Sequence, residues 1–149
     1  MKMNTTLDRL LPLAATIFFL LLLACGPAHF GKRYIIPKDL DDSLVKLDGI
    51  LSTENIEKIK DSKEEDLVQF HMGLGLWIRN SWRLWANSRL KKWFNAKGIH
   101  HPDDMSGIII DSYWRKLNGK PIALDEQVKS YKIFWDTTKV LPEIPIPFK

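Results

Sequence analysis

The sequence predicts an all-α domain, a compact bundle of four to six helices followed by an extended, proline-rich C-terminal tail. Apolar residues recur at spacings of three and four between about residues 40 and 135, as on one face of an α-helix. Residues that start and stop helices separate these runs, and no β-hairpin pattern or internal repeat is present. Five tryptophans between positions 70 and 114 supply apolar bulk for a core.

The N-terminal segment, residues 1–24, has the organisation of a bacterial signal peptide. Lys2 and Arg9 give a basic start, and an uncharged run of 14 residues follows at positions 10–23. This run is shorter than the about 20 residues of a membrane-spanning helix, but it suits the apolar part of a signal peptide. It ends in Leu22-Leu23-Ala24-Cys25, which resembles the lipobox, where a cysteine receives diacylglycerol and becomes the new N-terminus.

Cys25 is the single cysteine of the chain, so an intramolecular disulfide is impossible and lipid attachment gives the residue a purpose. A single acyl chain anchors a protein only weakly, so stable anchoring needs more than one. A lipobox cysteine carries two or three acyl chains, of which palmitate is an example. We therefore expect a lipoprotein, cut before Cys25 and held to a membrane there. The alternative is an uncleaved N-terminal anchor. Both place the domain in the cell envelope, outside the cytoplasm, and Gly26 favours the outer membrane if the host is Gram-negative.

The rest of the chain divides into three parts. Residues 25–37, with glycine, proline and a basic pair, predict a tether. Residues 38–137 form the helical domain. In the tail, residues 138–149, three alternating prolines prevent a helix and predict an extended segment, either draped on the domain or loose.

Capping residues place the helices in order. Asp39 caps the first, and Ser52 or Thr53 the second, which stops at 61–63. A third helix is predicted from residue 64 to 72, and an aromatic helical face from 74 to 96 with a restart near Asn87-Ser88. Gly98 suits a left-handed helix end, and Pro102 suits a first helical position. That helix ends at 118–119, and the last is predicted from 125 to 136.

Charge is segregated along the chain. From Cys25 onward, 20 basic and 17 acidic residues give 20 − 17 = +3, which together with export argues against nucleic acid as a partner. Residues 39–66 carry a net −6, and residues 67–101 carry +6 with no acid. We expect the acidic helices to pack beside the basic segment and neutralise it. Otherwise the basic face is free for phospholipid head groups or an acidic protein.

The segment His100-His101-Pro102-Asp103-Asp104 places two imidazoles and two carboxylates within five residues. These groups suit metal binding or acid–base chemistry, but neighbours on a loop point in different directions, so at most two reach one ion. We therefore predict no metal, cofactor or catalytic residue here. His101 or a neighbour is expected to cap the next helix, with Asp103 and Asp104 satisfying its free amides.

Arg79 and Asn80 fall off the tryptophan face, so they are expected to be solvated or to bind a helix terminus. A bidentate pair between Arg79 and Asp103 or Asp104 would join the two motifs in one network. The candidate binding surface therefore consists of the following residues: Arg79, Asn80, His100, His101, Asp103 and Asp104.

Several long motifs together resemble an uncharacterised bacterial domain family, a domain of unknown function. The resemblance extends over about residues 37–135 and implies a small, mostly helical domain. It implies no activity, substrate, cofactor or catalytic residue. The motifs are His71-Met-Gly-Leu-Gly-Leu-Trp-Ile-Arg-Asn80, Trp82-x-Leu-Trp85, Gly98-Ile-His-His-Pro-Asp-Asp-Met-Ser106 and Leu117-Asn-Gly-Lys-Pro121.

Three functional hypotheses remain open. The first is a non-enzymatic, lipid-anchored domain that presents the candidate surface to an envelope protein. The second is a hydrolytic or metal-dependent enzyme that uses His100, His101, Asp103 and Asp104. The third is a membrane-surface domain that uses the basic stretch 79–97.

Overall fold

The computed structural model describes residues 34–138, and this part of the chain is an all-α bundle, which confirms the predicted fold class. A 3₁₀ segment (Glu64–Phe70) and a π-helical turn (His71–Gly75) precede the third α-helix. No helix among these residues is long and apolar enough to cross a membrane. The six α-helices are α1 Leu40–Ile50, α2 Thr53–Asp61, α3 Leu76–Ser81, α4 Arg89–Ala96, α5 Pro102–Leu117 and α6 Leu124–Thr138. The predicted signal peptide, the predicted cleavage site and the predicted tail beyond residue 138 lie outside the described residues.

Side-chain caps start the helices where the sequence predicts them. Asp39 Oδ1 accepts the Asp42 amide at 2.9 Å, and Ser52 and Ser88 open α2 and α4 in the same way. Gly98 follows α4 with φ +83°, where a side chain is disfavoured, and the Ile99 amide donates back to the Phe94 carbonyl. Each of these caps provides a hydrogen-bond partner for backbone N–H or C=O groups that have none within the helix.

Helix α5 is the central helix of the bundle. It contacts α1–α4, α6, the 3₁₀ segment and the π-helical turn. Residues on several of its faces are inaccessible to solvent, and burial of that much apolar surface makes it the main source of hydrophobic stabilisation. The fully buried apolar side chains of α5 are Met105, Ile108, Ile109, Ile110 and Tyr113.

The aromatic region is less regular than predicted. The expected helix from residue 64 to 72 is a 3₁₀ segment that continues into the π-helical turn, and α3 ends at Ser81. Arg83 follows with φ +54°, a left-handed conformation that stops the helix. Trp82 is fully buried, whereas Trp85 is 55% exposed, so the predicted single tryptophan face is wrong at this position.

Packing begins before the predicted end of the tether. Tyr34 stacks edge-to-face on Trp77 with ring centroids 4.8 Å apart, and Pro37 is fully buried. Ile36 packs against the core. Residues 34–37 therefore belong to the packed domain.

The acidic segment neutralises the basic segment only in part. A hydrogen bond from Lys46 lowers the pKa of Asp42 and the Arg89 charge lowers it further, but other acidic side chains pair elsewhere. Glu64 accepts from Arg115 at 2.8 Å, and Asp48 pairs with Lys116. Lys120 lies 3.5 Å from the same Glu64 carboxylate. Helix α5 contacts α1 and the 3₁₀ segment, which brings the basic residues at its C-terminal end to Asp48 and Glu64. Within residues 34–138, no ion pair joins segment 39–66 to segment 67–101.

Candidate functional site

A buried arginine links α3 to the start of α5. Arg79 is 6% exposed, and its Nη1 donates to Ser106 Oγ at 2.9 Å. Its Nε lies 2.9 Å from Asp103 Oδ1, an ion pair in which the N–H is not aligned as a hydrogen bond. The predicted pair between Arg79 and Asp103 is therefore present and joins the two motifs in one network, but it is not bidentate, because Nη1 bonds Ser106 instead. Ser106 in turn donates to the Asp103 carbonyl at 2.9 Å.

Gly75 in the π-helical turn leaves room for the Arg79 guanidinium. A Cβ on Gly75 would lie 3.0 Å from Arg79 Nη1, so a side chain there would crowd the group. Arg79 Nη2 also approaches the His71 carbonyl at 3.4 Å. Burial lowers the pKa of His71, the Arg79 charge lowers it further, and Asp103 partly opposes both. Such π-helical turns occur frequently at functional sites.

A close approach between helices docks α6 onto α5. A Cβ on Gly107 would lie 2.3 Å from the Tyr131 hydroxyl and 3.4 Å from His71 Cε1. The glycine thus admits the phenol against the backbone of α5. Burial raises the pKa of the Tyr131 hydroxyl, and the nearby Asp111 and Asp104 carboxylates raise it further. Tyr131 is therefore a neutral phenol at physiological pH.

His101 has the predicted capping role. Its Nδ1 accepts the Asp103 amide at 3.2 Å, which leaves the ring proton of a neutral imidazole on Nε2. Two indoles flank the ring: Trp85 edge-on at 6.0 Å and Trp135 tilted at 5.8 Å between centroids. Trp135 Nε1 also donates to Asp104 Oδ2 at 2.7 Å, which ties α6 to α5. The expectation that Asp103 and Asp104 cap amides is wrong, because Arg79 and Trp135 take those carboxylates.

A cleft of about 560 Å³ lies between the N-terminal end of α5 and the C-terminal half of α6. Its volume and its mixture of aromatic and charged groups are those of a ligand or peptide site. Beside it, Ile133 and Phe134 on α6 are 56% and 58% exposed. The lining residues are Gly98, Ile99, His100, His101, Asp104, Tyr131, Lys132, Trp135 and Asp136.

The structure separates the six predicted surface residues into three places. His100, His101 and Asp104 line the cleft. Arg79, which is buried, and Asp103, whose side chain is 48% exposed, form an ion pair outside the cleft lining. Asn80 is exposed and contributes to neither.

The second wall of the cleft was missed from the sequence. Its members on α6 are not among the predicted site residues, because they lie about 30 positions from the histidines in sequence. The one available signal was the pair Tyr131 and Trp135, which share a helix face at spacing four.

The arrangement is suited to binding more than to metal chemistry. Among the described residues, no group of three histidine, cysteine, aspartate or glutamate side chains is placed to hold a metal ion. His101 Nδ1, Asp103 and Asp104 are already engaged by protein groups. The groups that remain available in the cleft are aromatic faces, an ammonium group and the exposed His100 ring.

The fold and site define a small all-α domain with a buried arginine, its partner Asp103 next in sequence to the cleft residue Asp104, and an aromatic cleft. Residues 36–117 match the family described as Domain of unknown function (DUF6794). This match covers more than half of the chain, and the chain belongs to that family. No curated protein and no solved structure matches this chain. The match contains the arginine network and the first wall of the cleft, whereas α6 lies beyond it.

Proposed function

We propose that this chain is a lipid-anchored protein of the cell envelope whose helical domain binds a protein partner through the cleft between α5 and α6. The domain acts as a non-enzymatic binding module. The lipid on Cys25 holds it at the membrane surface, and residues 25–33 give it reach. The anchor rests on the lipobox and on the short apolar run before it.

The aromatic cleft is the observation that carries the binding proposal. It combines the indole of Trp135, 41% exposed, with an ammonium group at Lys132 and the exposed imidazole of His100. Aromatic side chains are enriched at protein interfaces, and an exposed apolar patch often marks one. Ile133 and Phe134 supply such a patch beside the cleft.

A hydrolytic or metal-dependent enzyme has less support. It would need His100, His101, Asp103 and Asp104 to converge on one substrate atom. Asp103 instead pairs with Arg79 outside the cleft lining, and the His101 Nδ1 lone pair accepts a backbone amide. A general base needs a free lone pair within hydrogen-bond reach of the substrate proton, and the Nδ1 lone pair of His101 is not free.

Charge reversal in the cleft is expected to weaken partner binding. Lys132 lines the cleft, lies over Gly98 and makes no ion pair with another described residue. Lys132→Glu should reduce the captured partner about tenfold, because an interfacial charge pair becomes a repulsion. The measurement is affinity capture from the native envelope in mild detergent, quantified by mass spectrometry.

Lys129→Glu is the matched control, since it makes the same charge change one turn earlier on α6 and outside the cleft. It should retain the partner within about twofold. Equal loss in both variants, or full retention in both, would show that binding does not use the cleft.

A further inference from the structure

Four cations around α4 have no acidic partner in the described part of the chain. Arg83 precedes the helix, Lys91 and Lys92 lie within it, and Lys97 follows it. None of them forms an ion pair with any residue between 34 and 138. Glu64 and Asp48 instead pair with Arg115 and Lys116 at the end of α5, so among the described residues no ion pair neutralises these four positive charges.

Helix α4 has the amphipathic organisation of an interfacial helix. Its inner face buries Leu90 and Phe94 completely, while Lys92 is exposed. Trp93 is half-buried at the boundary, and the Lys97 ammonium lies 4.6 Å from its ring centroid. Indoles beside lysines at the edge of a polar face favour the boundary between lipid head groups and acyl chains.

The chain enters the domain beside this helix. Arg89, in the first turn of α4, donates from Nε to the Ile36 carbonyl at 2.7 Å. Ile36 lies three positions after the predicted tether residue Arg33. The nine residues from Cys25 to Arg33 span at most about 30 Å when fully extended. A lipid on Cys25 would therefore keep the α4 side of the domain within reach of the head groups.

We propose that α4 and its flanking cations dock on the anionic head groups of the membrane that holds the anchor. This proposal rests on the proposed lipid anchor, because the anchor would keep α4 at a high local concentration of phospholipid. Charge complementarity and the short connection to α4 select phospholipid over an acidic protein as the occupant. Docking fixes the orientation of the domain on the membrane.

The test uses the acylated full-length chain reconstituted in phosphatidylcholine vesicles, with or without phosphatidylglycerol. Each preparation contains a trace of phospholipid with a photoactivatable head group, and adducts are mapped by peptide mass spectrometry. We expect adducts in residues 83–97 with phosphatidylglycerol at low salt. The double variant Lys91→Glu/Lys92→Glu should lower them about tenfold, and high salt should lower them as well.

The control is Lys58→Glu/Lys60→Glu, which reverses two exposed lysines on α2. It should leave the adducts on 83–97 unchanged. Docking is overturned if adducts are absent, if they are equally abundant without phosphatidylglycerol, or if the α4 variant keeps them. Absent adducts would leave an acidic protein as the occupant of α4.

Vesicle flotation separates the anchor from the docking surface. A chain that floats with neutral vesicles is anchored, and the adducts then decide on docking. A chain that floats only with anionic vesicles at low salt supports docking and contradicts the anchor. A chain that floats with neither contradicts both.

Discussion

A chain with serine in place of Cys25 is expected to incorporate no fatty acid, whereas the native chain incorporates it fully. The thiolate is the nucleophile that accepts the diacylglyceryl group, and a serine hydroxyl is a far weaker nucleophile at neutral pH. No second cysteine exists to substitute for it. The measurement is metabolic labelling with a clickable palmitate analogue, followed by fluorescence of the immunoprecipitated chain.

Gly26→Ser is the matched control, because it changes the neighbouring residue and leaves the thiol in place. It should be labelled like the native chain. Mass spectrometry of the labelled chain should place its N-terminus at Cys25. An unlabelled native chain that still fractionates with membranes would instead establish the uncleaved N-terminal anchor.

Gly107→Ala is expected to destabilise the domain by about 2 kcal/mol, as for overpacking in a well-filled interior. The added methyl would lie 2.3 Å from the Tyr131 hydroxyl, so α6 must shift away from α5. Tyr131→Phe removes the clashing oxygen and leaves the ring carbon at 3.4 Å. The double variant Gly107→Ala/Tyr131→Phe should therefore recover most of the loss. Urea unfolding of all four chains measures the coupling.

Gly49→Ala is the control for the glycine change itself. It lies in α1 with no atom within 4 Å of the added Cβ, so the higher helix propensity of alanine should stabilise the domain by up to about 1 kcal/mol. If Gly107→Ala behaves like Gly49→Ala, the close contact between α5 and α6 does not exist in solution.

The helix starts could be predicted from the sequence because their signals are local. Asp39, Ser52 and His101 each lie within three positions of the amide that they cap. The pair between Arg79 and Asp103 also agrees with the sequence prediction, which rests on the affinity of a guanidinium for a carboxylate. Both inferences needed only residue chemistry and helical periodicity.

Two other features could not be predicted, because they depend on how distant helices pack. The opposite net charges of segments 39–66 and 67–101 predict that they pair, yet Lys116 and Arg115 of α5 pair with Asp48 of α1 and Glu64 of the 3₁₀ segment. The carboxylate of Asp104 was expected at helix amides, but α6 brings Trp135 to it from 31 positions away. Neither the net charge of a segment nor the local spacing of its residues tells which residues far apart in the sequence come into contact.

The measurement that tests the central claim most directly is photo-crosslinking from the cleft in the living envelope. A photoreactive amino acid at His100, an exposed residue of the cleft, reports what occupies it. The same group at Glu57, exposed on α2 and outside the cleft, is the control. We expect one discrete protein adduct from position 100 and none from position 57. No adduct from the cleft, or the same adduct from both positions, would contradict the proposal that this cleft binds the partner.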